Sequence, residues 1–278
     1  MRTILITGTS SGIGKETAVL FAQKGWKVAA TVRNAADSSA FADIGNITTY
    51  TLDVKDRESV KSCIKQIIRD FGRIDVIVNN AGVYTTNPLE LTSDETMDDI
   101  VETNINGVIR MTKAILGHFR ENKSGIIVNV SSVAGRISFP FQSVYHTSKW
   151  AVEGFSESLY YELKPLNIKV KVVEPGVVKT NLYRSVKDFP FAQYPKEYQA
   201  NFKKWHGYRV KNYDKVGYLP ELDAKTIYKA VTGHSSRLRY PSDSTVKSLL
   251  FLRSLLGLSA FQKIINKMSF GYFHPHYQ

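Results

Sequence analysis

Tyr145 and Lys149 stand four residues apart in Tyr145-His146-Thr147-Ser148-Lys149, and Ser132 precedes the tyrosine by thirteen. On a helix, residues i and i+4 share a face, so phenol and ammonium would point the same way. A free phenol titrates near about 10 and is a poor acid–base group at neutral pH. A cation about 4 Å away contributes roughly 4 kcal/mol at an effective dielectric of 20. At about 1.36 kcal/mol per pH unit, that draws the phenol toward working pH. The pair is therefore a candidate proton donor and acceptor. Ordinary helix surfaces also carry this spacing, so the assignment depends on the elements that would position it.

The first of those elements lies at the N-terminus. Thr3-Ile4-Leu5-Ile6-Thr7 reads as a buried parallel strand, Gly8-Thr9-Ser10-Ser11-Gly12-Ile13-Gly14 follows, and Lys15 to Lys24 has helical character. Strand, glycine turn and helix make a dinucleotide fingerprint. The glycines permit a tight turn and close approach of backbone to a pyrophosphate, and the helix N-terminus offers unpaired N–H groups to the anion. The spacing is Gly-x-x-x-Gly-x-Gly. The bland alternative is a turn with no ligand.

Together these features resemble the short-chain dehydrogenase/reductase family, over about residues 2–182. Asn79-Asn80-Ala81-Gly82 matches its segment after the fourth strand, and Asn104 in Asn104-Ile105-Asn106-Gly107 its structural and catalytic asparagine. Val130-Ser131-Ser132 matches the end of its fifth strand, where the spacing selects Ser132 over Ser131. Pro175-Gly176-Val177-Val178-Lys179-Thr180 matches the loop that closes over the nicotinamide.

The resemblance implies that Ser132 donates a hydrogen bond to the developing alkoxide and that Tyr145 delivers the proton. Lys149 would polarise Tyr145 and hold the nicotinamide ribose. Asn104 would kink its helix and fix a water linking Lys149 to solvent. It further implies cofactor contacts from Gly8, Ser10, Ser11, Gly12, Ile13, Gly14, Asn80, Ala81, Gly82, Pro175, Gly176, Val178 and Thr180. Asp53, followed by Val54, would contact adenine; capping the next helix is its alternative role. After the second strand the chain reads Thr31-Val32-Arg33-Asn34, with no acid between Lys24 and Asp37. An acid there would bind the ribose hydroxyls of NAD, whereas Arg33 offers a fork for a 2′-phosphate, which favours NADP(H) over NAD(H).

The rest of the chain supplies a scaffold. Val28–Val32, Thr48–Leu52, Val76–Asn79, Ile126–Ser131 and Val170–Glu174 read as strands. Lys55–Phe71, an interrupted Ser93–Asn122 and Ser143–Leu163 read as helices. The alternation predicts an α/β, Rossmann-type doubly wound parallel sheet within a single domain, 1–278, with ligands at the strand C-terminal ends. Arg239-Tyr240-Pro241 ends a seventh strand. The single cysteine, Cys63, excludes an intramolecular disulfide and is read as packing. The first strand begins too early for a signal peptide, and no stretch approaches the ~20 apolar residues of a spanning helix. A cytoplasmic protein is expected, and no metal site: His274-Pro275-His276 reads as a tail.

Residues 183–218 carry ten aromatics, Tyr183, Phe189, Phe191, Tyr194, Tyr198, Phe202, Trp205, Tyr208, Tyr213 and Tyr218, among eight Lys or Arg and three acids. This segment is read as a substrate lid suited to a steroid-, retinoid- or lipid-like alcohol or carbonyl. Simple packing of the lid is the alternative, and a nucleic-acid partner is not expected. Across 245–270, apolar positions 249, 252, 256, 260 and 264 would line one face of a basic amphipathic helix, broadened by Leu250, Phe251, Leu255, Leu258, Phe261 and Ile265. That helix could meet a membrane surface, the pocket or another subunit. The formal charge of +12 suits an anionic cofactor or surface.

The leading expectation is an oxidoreductase of the hydroxysteroid- or retinol-dehydrogenase-like branch, assembled as a homodimer or homotetramer. A non-catalytic NADP(H)-binding sensor and a sugar-nucleotide epimerase are the alternatives.

Overall fold

The computed structural model describes residues 1–41, 44–184 and 191–271. Phe189 and His274-Pro275-His276 lie outside them, as do the side chains of Tyr183 and Phe191. The chain alternates β1 (Thr3–Ile6), α1 (Gly12–Gln23), β2 (Lys27–Val32), β3 (Ile47–Thr51), α2 (Arg57–Phe71) and β4 (Val76–Asn79). It continues through α3 (Asp94–Ile100), α4 (Gly107–Glu121), β5 (Gly125–Val130), α5 (Ser143–Leu163) and β6 (Ile168–Glu174). Short α6 (Asn181–Arg184), α7 (Lys196–Val216), α8 (Glu221–Thr232), β7 (Arg239–Pro241) and α9 (Ser244–Phe270) complete it. The strands form one parallel sheet in the order β3-β2-β1-β4-β5-β6-β7, the doubly wound arrangement anticipated from the alternation.

Strand side chains alternate between two apolar layers. Leu5, Ala29, Ile77, Ile127 and Val170 face α2, α4 and α5, with Ile64, Ile115 and Leu159 packed on them. Ile4, Ile6, Val28, Val78, Val128 and Val173 face the other way, onto Phe21 of α1 and Ile227 of α8. A sheet covered on both faces needs such continuous apolar strands. Cys63 is buried in the first layer, and burial pushes its thiol up to about 12, consistent with packing.

Local chemistry fixes the boundaries. Asp56 caps α2, accepting from the backbone N–H groups of Glu58 and Ser59 at 2.7 and 3.1 Å. Asp53 does not cap α2; its Oδ1 accepts from Lys55 N at 2.9 Å in the preceding turn. The interruption expected within 93–122 is a π-helical stretch, Val101–Asn106, between α3 and α4.

The C-terminal helix corrects two expectations. Over 27 residues, with no more than two charges in its most apolar window, α9 is long and apolar enough to cross a membrane. Scattered cations concealed this in the sequence. Its apolar face is also not buried as a whole: Phe261 and Ile265 are buried as expected, but Phe251, Leu255, Leu256, Leu258 and Ala260, assigned to the same face, are exposed. The reason is Gly257, whose φ of 71° and ψ of 175° break the helix and reset its phase.

Candidate active site

The glycine turn, Arg33, Asp53, Asn80-Ala81-Gly82, Ser132 and Pro175–Thr180 follow β1 to β6 in turn at the C-terminal edge of the sheet, while Tyr145 and Lys149 lie on α5 and Asn104 in the π turn. β1 and β4 are neighbours, so the chain winds outward in opposite directions from that pair, which opens a crevice between their loops. The glycine turn occupies it. Gly8 has a φ of +69°, and a Cβ there would stand 2.8 Å from Ala81 Cα. A Cβ at Gly14 would stand 2.5 Å from Asn80 Nδ2. Asn80 in turn donates to the carbonyls of Thr7 and Gly8, both at 2.9 Å, and Thr7 Oγ1 accepts from the N–H groups of Asn80 and Ala81 at 3.0 Å. Asn80 thus ties the glycine turn to the loop after β4, a role the sequence pattern did not reveal.

This turn lines a cleft of about 470 Å³ with both polar and apolar walls. Gly8, Ser10, Ser11, Gly12, Ile13, Arg33, Asp53, Val54, Asn80, Ala81, Gly82, Ser132, Tyr145, Lys149, Pro175, Gly176, Val178 and Thr180 all line it. Gly14 and Asn104 do not. Gly14 packs against Gly8 and Asn80, and Asn104 hydrogen-bonds Val83 and Ser148. Asp37, Thr31, Ser131 and Leu182 also line the cleft and were not anticipated.

The dimensions and chemistry fit a dinucleotide. Ser11 begins α1 in an extended conformation without a side-chain cap, and the first turn holds no acid, which leaves backbone donors and a positive dipole end for a pyrophosphate. Ser131 also lines the cleft, and its buried hydroxyl has no hydrogen-bond partner among the described residues. Arg33 is exposed at the rim beside Asn34 and Asp37.

Ser132, Tyr145 and Lys149 are brought together where β5 faces the first half of α5, each less than a tenth exposed. Ser132 Oγ accepts from Ala134 N at 3.1 Å and reaches Pro175 O at 3.4 Å, so the hydroxyl is oriented from both sides. Lys149 Nζ donates to Val130 O at 3.1 Å and sits 5.8 Å from the centroid of the Tyr145 ring. Burial brings its pKa down to about 8, against an opposing pull from nearby Glu153.

Asn104 sits in the π turn and bridges three elements. Its amide exchanges hydrogen bonds with Val83 N and O, at 2.8 and 2.9 Å, and donates to Ser148 Oγ at 3.0 Å. Ser148 Oγ continues to Tyr145 O at 2.7 Å. A π turn widens the helix by one residue, which lets a side chain reach across to a neighbouring loop.

Three supporting groups had no signal in the sequence. His146, buried beside Tyr145, lies 2.7 Å by Nδ1 from Ala134 O and accepts from Phe139 N at 3.0 Å by Nε2. The acceptor role of Nε2 places the proton on Nδ1, so the neutral ring pins the loop after Ser132 to α5. Burial correspondingly holds its pKa low. Behind Lys149, Arg239 of β7 bonds Glu153 at 2.9 Å, and Arg136 bonds the buried Glu174 at 3.0 Å. Finally, Tyr218 fastens the loop after β6. Gly176 N donates to its phenol at 2.9 Å, Lys179 N to its carbonyl at 2.8 Å, and its own N–H to Val177 O at 3.1 Å.

A second cleft, of about 230 Å³, meets the first at Ser132, Tyr145 and Gly176. Its walls are mainly apolar, from Val133, Phe139, Trp205, Tyr208, Tyr213, Val246, Leu249 and Met268. The aromatic segment therefore serves two purposes. Phe202 is fully buried against Phe141 and Tyr194, while Trp205 stacks on Phe139 and Tyr208 and faces the cleft. Arg209 also lines it, over the ring of Tyr84, which packs edge-on against Tyr145 at 4.7 Å.

The family model described as short chain dehydrogenase matches residues 2–190. Retinol dehydrogenase 8 of Bos taurus is 35% identical over 268 residues, covering 91% of this chain and 85% of that one. A 3-ketodihydrosphingosine reductase of Bacteroides thetaiotaomicron is 41% identical over 177 residues, 64% of each chain. Among solved structures, ElxO with NADP bound superposes with a TM-score of 0.73 at 28% identity, over 89% of this chain and 99% of that one. A 3-ketoacyl-(acyl-carrier-protein) reductase from Brucella melitensis complexed with NADH gives 0.73 at 25% identity, over 87% and 96%.

Proposed function

The chain belongs to the short-chain dehydrogenase family of oxidoreductases, and from that premise we propose that it interconverts a hydrophobic alcohol and its ketone or aldehyde with NADP(H). The observation that carries this reading is the meeting of the two clefts. A larger cleft of mixed polarity, lined by the glycine turn, and a mainly apolar one share Ser132 and Tyr145, the hydroxyls suited to a carbonyl oxygen.

When bound, the nicotinamide supplies or accepts hydride. The remaining chemistry belongs to this chain. Ser132 and Tyr145 hold the carbonyl oxygen between them, and Ser132 is kept in place by Ala134 N. Tyr145 gives the oxygen its proton in reduction and takes it in oxidation. Lys149, cationic below about pH 8, favours the phenolate that this leaves. Asn104 positions Tyr145 and Lys149 through Ser148 and Val83 and could order a water beside Lys149. Gly8 to Gly14 and the first turn of α1 receive the pyrophosphate, and Asp53 receives the adenine. Arg33 receives a 2′-phosphate, for which a guanidinium fork is the matching donor.

The apolar cleft suits a retinoid-, steroid- or lipid-like substrate, and the segment 183–218 acts as its lid. The relatives named for a retinol and for 3-ketodihydrosphingosine support an apolar substrate class. Self-association is assigned to α4 and α5, whose outer faces expose Ile109, Trp150 and Tyr161, and a peripheral membrane contact to α9.

The test is titration with NADPH and NADH by fluorescence, followed by a panel of steroid, retinoid and medium-chain carbonyls. Tighter NADPH binding and turnover of a bulky apolar carbonyl are expected. Arg33→Asp should weaken NADPH by about tenfold or more while leaving NADH within about threefold, the loss of one charge-assisted contact. Equal effects on both nucleotides would remove Arg33 from the site.

A further inference from the structure

α9 has two sides with different environments. Its inner side packs Val246, Phe261 and Ile265 onto the body of the protein near Ile137, and gives Leu249 and Met268 to the apolar cleft. Its outer side leaves Phe251 67% exposed, Leu255 68% and Leu258 56%. These side chains flank Gly257, where the helix bends, and beyond its own helical turn no atom of the described residues lies within 4 Å of the position a Cβ would take there. The bend is thus an apolar elbow facing away from the protein. Large apolar side chains concentrated at one projecting point mark a surface that meets another phase or molecule.

The charge around the elbow selects the occupant. From Ser244 to Gly271 there is no acidic residue. Lys247 lies one turn before Phe251 on the same exposed face, and Lys263 is exposed beyond the bend. Arg253 belongs to the packing instead, over Trp150 at 5.3 Å. Twofold pairing of this face would set its own cations together without a counter-charge. An anionic lipid surface complements both features, because headgroups meet the cations and acyl chains receive the elbow. The helix could cross a bilayer by length, but its packed inner side holds it along the body of the protein.

We propose that α9 is an interfacial anchor, whose elbow around Phe251, Leu255 and Leu258 enters an anionic membrane surface while Lys247 and Lys263 contact the headgroups. This deepens the assignment of a membrane contact made above. The consequence for catalysis, that the cleft wall formed by the same helix lies beside the lipid, rests on the reading of that cleft as the substrate site.

The test is co-sedimentation of the full chain with vesicles of phosphatidylcholine containing phosphatidylserine, and with vesicles of phosphatidylcholine alone. Binding to the first, weaker binding to the second and weakening with salt are expected. Phe251→Asp with Leu255→Asp should lower the partition coefficient by about 100-fold or more, from the apolar area withdrawn. Lys247→Glu with Lys263→Glu should abolish the preference for phosphatidylserine. Both pairs are exposed, so thermal melts should stay near those of the parent chain. Absence of binding to either vesicle, or unchanged binding by the Asp variant, would overturn the proposal. So would dissociation of an oligomer by the same variant in sedimentation velocity, which would assign the elbow to a second copy. Turnover of a water-soluble carbonyl by the Asp variant is the separate control. Vesicle binding without any turnover in the parent chain would leave the anchor standing and remove the catalytic reading.

Discussion

Tyr145 and Lys149 were legible as a pair because helical spacing is a local property, and α5 does put them on one face. The sequence did not show how each is held. Lys149 is anchored by Val130 O, a carbonyl nineteen residues away in the chain, and its burial draws its pKa down to about 8. Removing the phenol hydroxyl isolates the proposed acid. Tyr145→Phe should reduce kcat by about 100-fold or more, the range of a lost general acid, while nucleotide affinity changes by less than about threefold. Parallel turnover and fluorescence titrations check this, and retained turnover would remove Tyr145 from the mechanism. His146 illustrates the opposite case. Its neighbours in sequence give no hint of its two partners, because both bonds go to the loop between β5 and α5, which only the fold brings back onto the helix.

At the scale of elements, the loop after β6 is the piece most dependent on distant structure. Pro175 to Thr180 was recognisable as a motif, but its fastening by Tyr218 was not, since Tyr218 looked like one aromatic of the lid. The phenol accepts from Gly176 N and donates to Asp223 Oδ1 at 3.2 Å, and the backbone forms a bridge to Val178. The segment ending at Tyr218 and the loop after β6 are therefore joined at one residue, and Gly176 of that loop lines both clefts. Tyr218→Phe keeps the backbone bridge and removes the phenol bonds, leaving the Gly176 donor without its acceptor. An unsatisfied donor costs about 1–3 kcal/mol, so nucleotide dissociation constants should rise by about tenfold while kcat at saturation changes little. A lowered melting temperature with unchanged nucleotide affinity would reduce Tyr218 to a structural role. The π turn at Asn104 and the bend at Gly257 belong to the same scale. The first was foreseen as an interruption, because the motif marked it. The second was missed, because a lone glycine in an apolar run is compatible with a continuous helix.

For the whole molecule, burial of acids within the fold sets the response to pH. Asp223 is fully buried, and desolvation first, then the nearby Asp243 charge, push its pKa up to about 7; Glu174 is raised to about 7 by burial and by Glu153. Between their ordinary carboxylate range and about pH 7, the folded chain holds protons that the unfolded chain has shed. These two groups therefore make stability fall as pH rises through that window. His146 acts in the other sense: its lowered pKa makes acidification below about 6.5 destabilising. Asp223→Asn removes one titration while keeping an acceptor for Tyr218. It should stabilise the protein more at pH 8 than at pH 5, by at most about 3 kcal/mol, since only the two pH units between 5 and the folded pKa of about 7 contribute, at about 1.36 kcal/mol each. Thermal melts at the two pH values check this; an equal change at both would exclude Asp223 as the titrating group.

The sequence by itself determined the parallel α/β framework, the glycine turn and Ser132 at strand ends, and the pairing of Tyr145 with Lys149 on one helix. These are written in short-range patterns, where apolar alternation, turn residues and helical spacing act over a few residues. Tertiary structure alone decided that Asn80 and Asn104 work through backbone partners, that Asp56 rather than Asp53 caps α2, and that Arg136, Glu153, Glu174 and Arg239 form ion pairs behind Lys149. It also decided which side of α9 is buried. Those outcomes depend on groups far apart in the chain and on the dielectric around them, and both come into being only when the sheet is assembled and its helices are packed.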